Sequence, residues 1–168
     1  MISFLAIDPG LNGAIAVWRP ENASLFVEDM PTLTLQRSGK DKRSIDATSL
    51  NIVLRRLCRD YDVVLALIEQ SGARPNEGLG SAHANGRNWG TAYGALVAQE
   101  VRVEIVPPMT WKRDLQCPRD KDGARARASQ LLPKHAEFWR LAKHDGRAEA
   151  ALMALYAERV FVKMGAVA

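Results

Sequence analysis

At 168 residues the chain has room for one domain, expected to span 1–168, with a core large enough to fold unaided. A composition of 47% hydrophobic and 25% charged residues excludes a mainly disordered chain, and two cysteines, Cys58 and Cys117, exclude a disulfide-stapled mini-domain. The formal net charge of +4 suits a polyanionic partner. No apolar run reaches the ~18–20 residues of a membrane span. Residues 2–7 lack a basic leader and run into Asp8-Pro9-Gly10, so they read as a first strand rather than a signal peptide. A cytoplasmic protein without a membrane segment is expected.

In chain order, residues 2–7, 14–18 and 25–27 predict a three-strand meander, with Asn12-Gly13 as its first hairpin signal. Residues 37–43 are basic and polar and read as an exposed loop. Residues 49–60 carry Leu50, Val53, Leu54 and Leu57 at helical spacing. Residues 62–68 form a continuous apolar run, the texture of a strand buried on both faces, and it ends at Glu69. The stretch 71–88, rich in Gly, Asn and Arg, reads as a long loop leading into a helix over 89–99. A strand over 101–106 stops at Pro107-Pro108, and a basic segment over 111–127 follows. Helices are expected over 121–132 and from 145 to about 162. This order indicates one α/β layered domain with a mixed sheet.

Glu69 is the most informative residue, because an unpaired carboxylate closing a buried strand needs compensation. Asp8 stands in the same position after the first strand. If those strands are neighbours, their acids repel unless a proton or a metal intervenes. Asp145 and Glu149, four apart, share a helix face ahead of the small residues Ala150, Ala151 and Ala154. Each acid alone has a plainer explanation: a turn initiator, a strand-end charge, a helix cap and a first-turn acid. Together, four carboxylates match the charge of two Mg²⁺ ions, which are hard, prefer oxygen and keep several waters. Two such ions ~3.5–4 Å apart assist in-line phosphoryl displacement, so phosphodiester hydrolysis is the chemistry indicated. Three scattered His and two distant Cys do not make zinc spacing.

Three stretches, Ala6-Ile7-Asp8-Pro9-Gly10 with Gly13, Ile68-Glu69-Gln70, and Asp145 through Glu149 to Leu152, resemble the RuvC family of Holliday-junction resolvases in its phage and prophage branch. Gly86 to Gly94, containing Arg87, Asn88 and Trp89, resembles its Gly-rich helix. Val106-Pro107-Pro108 with Thr110, Trp111, Lys112 and Leu115, then Lys121-Asp122, resembles its DNA-binding segment. The matches keep family order across residues 4–156. The resemblance implies an RNase H-like fold with a five-stranded mixed sheet flanked by helices. It also implies a homodimer whose subunits nick opposed strands of four-way junction DNA, leaving ligatable 5′-phosphate ends, with two Mg²⁺ per site and Mn²⁺ as a substitute. It assigns Asp8, Glu69 and Glu149 directly as catalytic, metal-binding acids. The family's fourth acid falls at Gly146, so Asp145 is chosen, with His144 in reserve. The wedge aromatic that often follows Ile-Glu-Gln has no counterpart in residues 71–75, and no branch-migration motor is identified.

For DNA contact, Lys112, Arg113, Lys121 and Arg125 cluster with Arg119 and Arg127, and Arg74, Arg87 and the 37–43 segment are further candidates. Trp89 and Trp111 either stack on unpaired bases or sit in the core or an interface. The helix at 89–99, with Gly90 and Gly94, is the suspected dimer surface. The rival readings are an RNase H-like ribonuclease of the YqgF type, a nucleotide-binding module of the actin type and a junction binder without catalysis.

Overall fold

The computed structural model of the chain describes residues 1–37, 39–72 and 76–165. In order these form β1 (Ser3–Ile7), β2 (Ala14–Arg19), β3 (Ser24–Asp29), β4 (Thr32–Arg37), β5 (Lys40–Ile45), α1 (Ala47–Asp60), β6 (Val63–Glu69), α2 (Leu79–Val97), β7 (Val103–Val106), α3 (Pro108–Asp114), α4 (Lys121–Leu131) and α5 (Asp145–Gly165). Among them, five strands make one mixed sheet in the order β3-β2-β1-β6-β7, and β4 and β5 pair separately. β1 is central, antiparallel to β2 and parallel to β6. The meander, the buried strand and the mixed sheet therefore form as the sequence predicts.

Alternation along β1 explains the layering. Phe4 and Ala6 enter a core shared with α3, α4 and α5, whereas Leu5 and Ile7 enter a second core with α1 and α2. On the first side Ala6, Ala14 and Ala16 face Ala148, Ala151 and Ala154 of α5, all fully buried. Small residues on both surfaces let the helix lie close to the sheet. On the second side Leu50, Leu54 and Leu57 of α1 pack on the sheet, each burial stabilising by about 1.5–3 kcal/mol. Asp46 caps α1, accepting hydrogen bonds from the Thr48 and Ser49 amides at 3.1 Å each.

Three segments depart from the sequence reading. Residues 39 and 41–43 are exposed as expected, but residues 37 and 39–43 form the outer part of a hairpin and not a loop, with Thr32 paired to Ile45 and Arg37 to Lys40; residue 38 lies outside the described residues. Gly39, at φ +71°, supplies the left-handed turn residue. The helix expected from 89 begins ten residues earlier, at Leu79. Its Gly- and Asn-rich start is held by tertiary contacts: buried Asn88 accepts from Ser44 Oγ at 3.2 Å and from the Ile45 amide at 3.4 Å. Finally, α3 occupies part of the basic segment, with Pro108 at its first position and Trp111 wholly buried. No helix among the described residues is long and apolar enough to cross a membrane.

Candidate active site

The strand pairing brings the first two acids together. Ile7 lies opposite Ile68 in the parallel β1–β6 ladder, so Asp8 and Glu69 emerge side by side at the same end of the sheet. α5 supplies the other pair, because Asp145 begins it and Glu149 follows one turn later. All four border one cavity of about 560 Å³, together with Gly10, Asn12, Gln70, Asn85, Asn88 and Lys121. His144 sits in a 3-10 turn ahead of α5 and is not among the residues lining that cavity.

Close backbone contact fixes α5 against the loop after Asp8. A Cβ on Gly146 would lie 2.3 Å from the Asn12 carbonyl oxygen and 2.8 Å from Gly13 Cα. Gly13 is equally confined, since its Cβ would fall 2.0 Å from the Asp8 carbonyl oxygen. On the outer side of α5, Arg147 donates two 2.6 Å hydrogen bonds to the Asp29 carboxylate at the end of β3.

Each acid has a defined neighbour. The Gly10 amide donates to Asp8 Oδ1 at 3.2 Å. Two indoles hold Glu69: Trp111 donates to Oε2 at 2.8 Å, and Trp89 donates to the backbone carbonyl at 2.8 Å. Lys112 donates to Glu149 Oε1 at 2.6 Å, and Lys121 lies 2.7 Å from Asp145 Oδ2. Burial, then the charges of Glu149 and Glu69, push the Asp8 carboxyl up to about 7. Burial also raises Glu69, with the Trp111 hydrogen bond working the other way. For Lys112, burial opposes the charge, but its Glu149 hydrogen bond and the surrounding acids outweigh that and hold the ammonium above the ordinary lysine value.

With two acids engaged by lysines, no three His, Cys, Asp or Glu among the described residues stand close enough together to hold one ion as placed. The donor chemistry nevertheless fits a hard divalent cation. The ionisable oxygen donors lining the cavity are carboxylates, with no His or Cys among the lining residues, and a cation would offset both the burial and the neighbouring acid charges that raise Asp8.

The Lys112–Glu149 pair is largely buried, with side-chain exposures of 12% and 17%. Lys112→Ala is expected to cost about 3 kcal/mol of stability by stranding the carboxylate. Adding Glu149→Gln should recover most of that loss, and urea denaturation of the single and double variants is the check.

The basic candidates fare unevenly. Arg125 pairs with Asp122 at 2.5 Å, and Lys112 and Lys121 are paired with site acids as described. Arg87 and Arg113 are exposed, and Arg74 lies outside the described residues. Trp111 is core, not a base-stacking surface, while Trp89 stacks on Tyr93 with ring centres 5.1 Å apart. Sequence reasoning gave no site role to Asn85 and Asn88 on the cavity wall; the legible signal was Asn88 inside the Gly-rich helix block and Asn85 just ahead of it.

Compared with solved structures, the chain is similar in fold to RuvC of Thermus thermophilus. The T. thermophilus RuvC structure in complex with Holliday junction substrate matches with a TM-score of 0.62 at 16% identity, over 98% of this chain and 97% of that one. A second Thermus thermophilus RuvC structure matches with a TM-score of 0.52 at 14% identity, over 98% and 96%. No protein-family model and no curated protein matches the sequence. The likeness is one of fold, and the five-stranded mixed sheet flanked by helices accords with the RNase H-like arrangement of RuvC.

Proposed function

We propose that this chain is a structure-specific DNA endonuclease that resolves four-way junctions by paired, metal-dependent nicks, in recombination, repair or phage DNA processing. One observation carries the reading: Asp8, Glu69, Asp145 and Glu149, from three separate stretches, border one cavity on a fold shared with RuvC. The chain acts as one cytoplasmic nuclease domain and as a homodimer. Dimerisation through α2 is supported by Gly86, Gly90 and Gly94, one turn apart with open space around each.

The four acids would hold two Mg²⁺ ions, or Mn²⁺ in their place. Bound there, divalent ions supply a more acidic water and stabilise the leaving oxygen of a phosphodiester. The chain's own groups prepare the site. Trp111 fixes one oxygen of Glu69, and the Gly10 amide fixes one oxygen of Asp8. Lys112 and Lys121 offset the charge of Glu149 and Asp145 while a polyanion approaches. The test is nicking of fixed and mobile four-way junctions with and without Mg²⁺, alongside an RNA–DNA hybrid. Symmetric, ligatable, Mg²⁺-dependent nicks in the junction are expected. Cutting of the hybrid alone would mean a ribonuclease, and binding without cutting would mean a passive junction binder.

Asp8 also predicts a pH dependence. Its proton affinity is higher folded than unfolded, so in metal-free protein it contributes stability below pH ~4 that is lost as pH rises to about 7. Metal-free Asp8→Asn should therefore melt progressively higher relative to the parent as pH rises from 4 to 8. Mg²⁺ has to displace that proton, so its stabilising effect on the parent should be larger at pH 8 than at pH 6; melting scans across pH check both.

A further inference from the structure

A junction-cutting enzyme needs cations to hold phosphates, yet Lys112, Lys121 and Arg125 are already engaged by acids. The hairpin of β4 and β5 offers free charge beside the same cavity. Among the described residues its strands pair only with each other, and an isolated two-stranded ribbon is marginal in water, so it depends on contacts at its base. Those contacts lead to the site. Arg43 donates to Asn12 Oδ1 and to the Leu11 carbonyl at 2.8 Å each, tying the hairpin to the loop that follows Asp8. The Met30 amide donates to the Gly13 carbonyl at 3.0 Å. Arg43 is thus an anchor rather than a free cation.

The opposite face carries the available charge. Lys42 pairs with Leu35 and Ser44 with Leu33, and alternate residues share a face, so Lys42 lies two positions, about 7 Å, outward from Ser44. Ser44 Oγ accepts a long 3.5 Å contact from Arg87 Nη2, and its neighbour Asn88 lines the acid cavity. Lys42 and Arg87 are exposed, and neither has a carboxylate partner among the described residues. From the cavity outward, the order is Asn88, Arg87 with Ser44, then Lys42.

We propose that the β4–β5 hairpin is a DNA-contacting arm, whose Lys42, together with Arg87 of the adjoining α2, holds the phosphate backbone of a junction arm leaving the acid-lined cavity. This rests on the nuclease reading above and adds the surface that takes the substrate. Phosphate is the occupant indicated, because both cations lack a carboxylate partner among the described residues and Arg87 adjoins Asn88 of the cavity wall while Lys42 lies two positions outward from Ser44. Contacts of this kind supply affinity and orientation without reading sequence.

The experiment is junction binding by fluorescence anisotropy over a salt series without Mg²⁺. It compares the parent, Lys42→Ala, Arg87→Ala, the double variant and the exposed control Arg55→Ala on α1. Each single variant should lower the slope of log K against log salt by about 0.9, which is about fivefold in affinity at 0.15 M salt. The double variant should lose about twice that slope, the loss should be the same for junctions of any sequence, and Arg55→Ala should match the parent. Unchanged slopes in a parent that binds and cuts junctions would overturn the arm and leave the nuclease reading standing. Loss on an RNA–DNA hybrid but not on the junction would overturn it, as would conversion of a dimeric parent to monomers by sedimentation. A parent that binds no junction overturns both proposals.

Discussion

Asp8→Asn is expected to abolish cutting, by at least about three orders of magnitude, while junction binding stays the same or tightens. The asymmetry follows from where Asp8 sits. It extends the central strand and stands beside Glu69 by register, and burial first, then the charges of Glu149, Glu69 and Asp145, push its carboxyl up to about 7. Asparagine keeps the shape and an oxygen for the Gly10 amide, so the loop is preserved. It removes a negative charge facing phosphate, which weakens repulsion of DNA, and it removes the oxygen-rich charge a divalent ion requires. Single-turnover nicking and anisotropy on the same junction measure the two quantities separately. Simultaneous loss of both, in a variant with an unchanged melting curve, would mean that Asp8 shapes the binding surface instead of the chemistry.

The acids were legible because each occupies a position that local rules make conspicuous. A carboxylate closing the run Val63 to Ile68 conflicts with a buried strand, and Asp145 and Glu149 share a face above an alanine-rich surface. The central strands were equally plain, since burial on both faces leaves a continuous apolar run. What stayed hidden depends on tertiary contact. The start of α2 reads as loop because Gly80, Gly86 and Asn85 are poor helix formers; Asn88 against β5 and Trp89 against the Glu69 carbonyl override that preference. The hairpin reads as loop because its outer half is polar, and it is held by residues from elsewhere in the chain: Leu11 and Asn12, which accept from Arg43, and Asn88, which accepts from Ser44. Spacing also says nothing of which cations are free. Lys112 and Lys121 look like DNA ligands in a basic segment, and only folding sets them against Glu149 and Asp145.

Gly146→Ala should be destabilising even though alanine is the better helix former, and the magnitudes decide the sign. Relieving a glycine inside a helix gains roughly 0.5–1 kcal/mol. Against that, the new methyl would meet the Asn12 carbonyl oxygen at 2.3 Å and Gly13 Cα at 2.8 Å, both backbone atoms. That loop cannot yield easily. The Gly13 amide is bonded to the Gly10 carbonyl at 2.9 Å, the Asp8 amide to the Ala14 carbonyl at 3.0 Å, and Arg43 grips Leu11 and Asn12 from outside. Overpacking of this kind typically costs about 1–3 kcal/mol and occasionally more, so a net loss of about 2 kcal/mol is expected. For a chain of this size that lowers Tm by roughly 4–8 °C. If α5 instead shifts outward by about 1 Å to relieve the clash, Asp145 and Glu149 move with it, and misplacement on that scale costs about a hundredfold in rate. Gly80→Ala, near the start of α2 with nothing within 4 Å of the added atom, is the matched control and should be neutral or slightly stabilising. Thermal melts and nicking rates of the two variants separate the cases. A Gly146→Ala protein that melts and cuts like the parent would show that α5 is not set by its contact with the loop after Asp8.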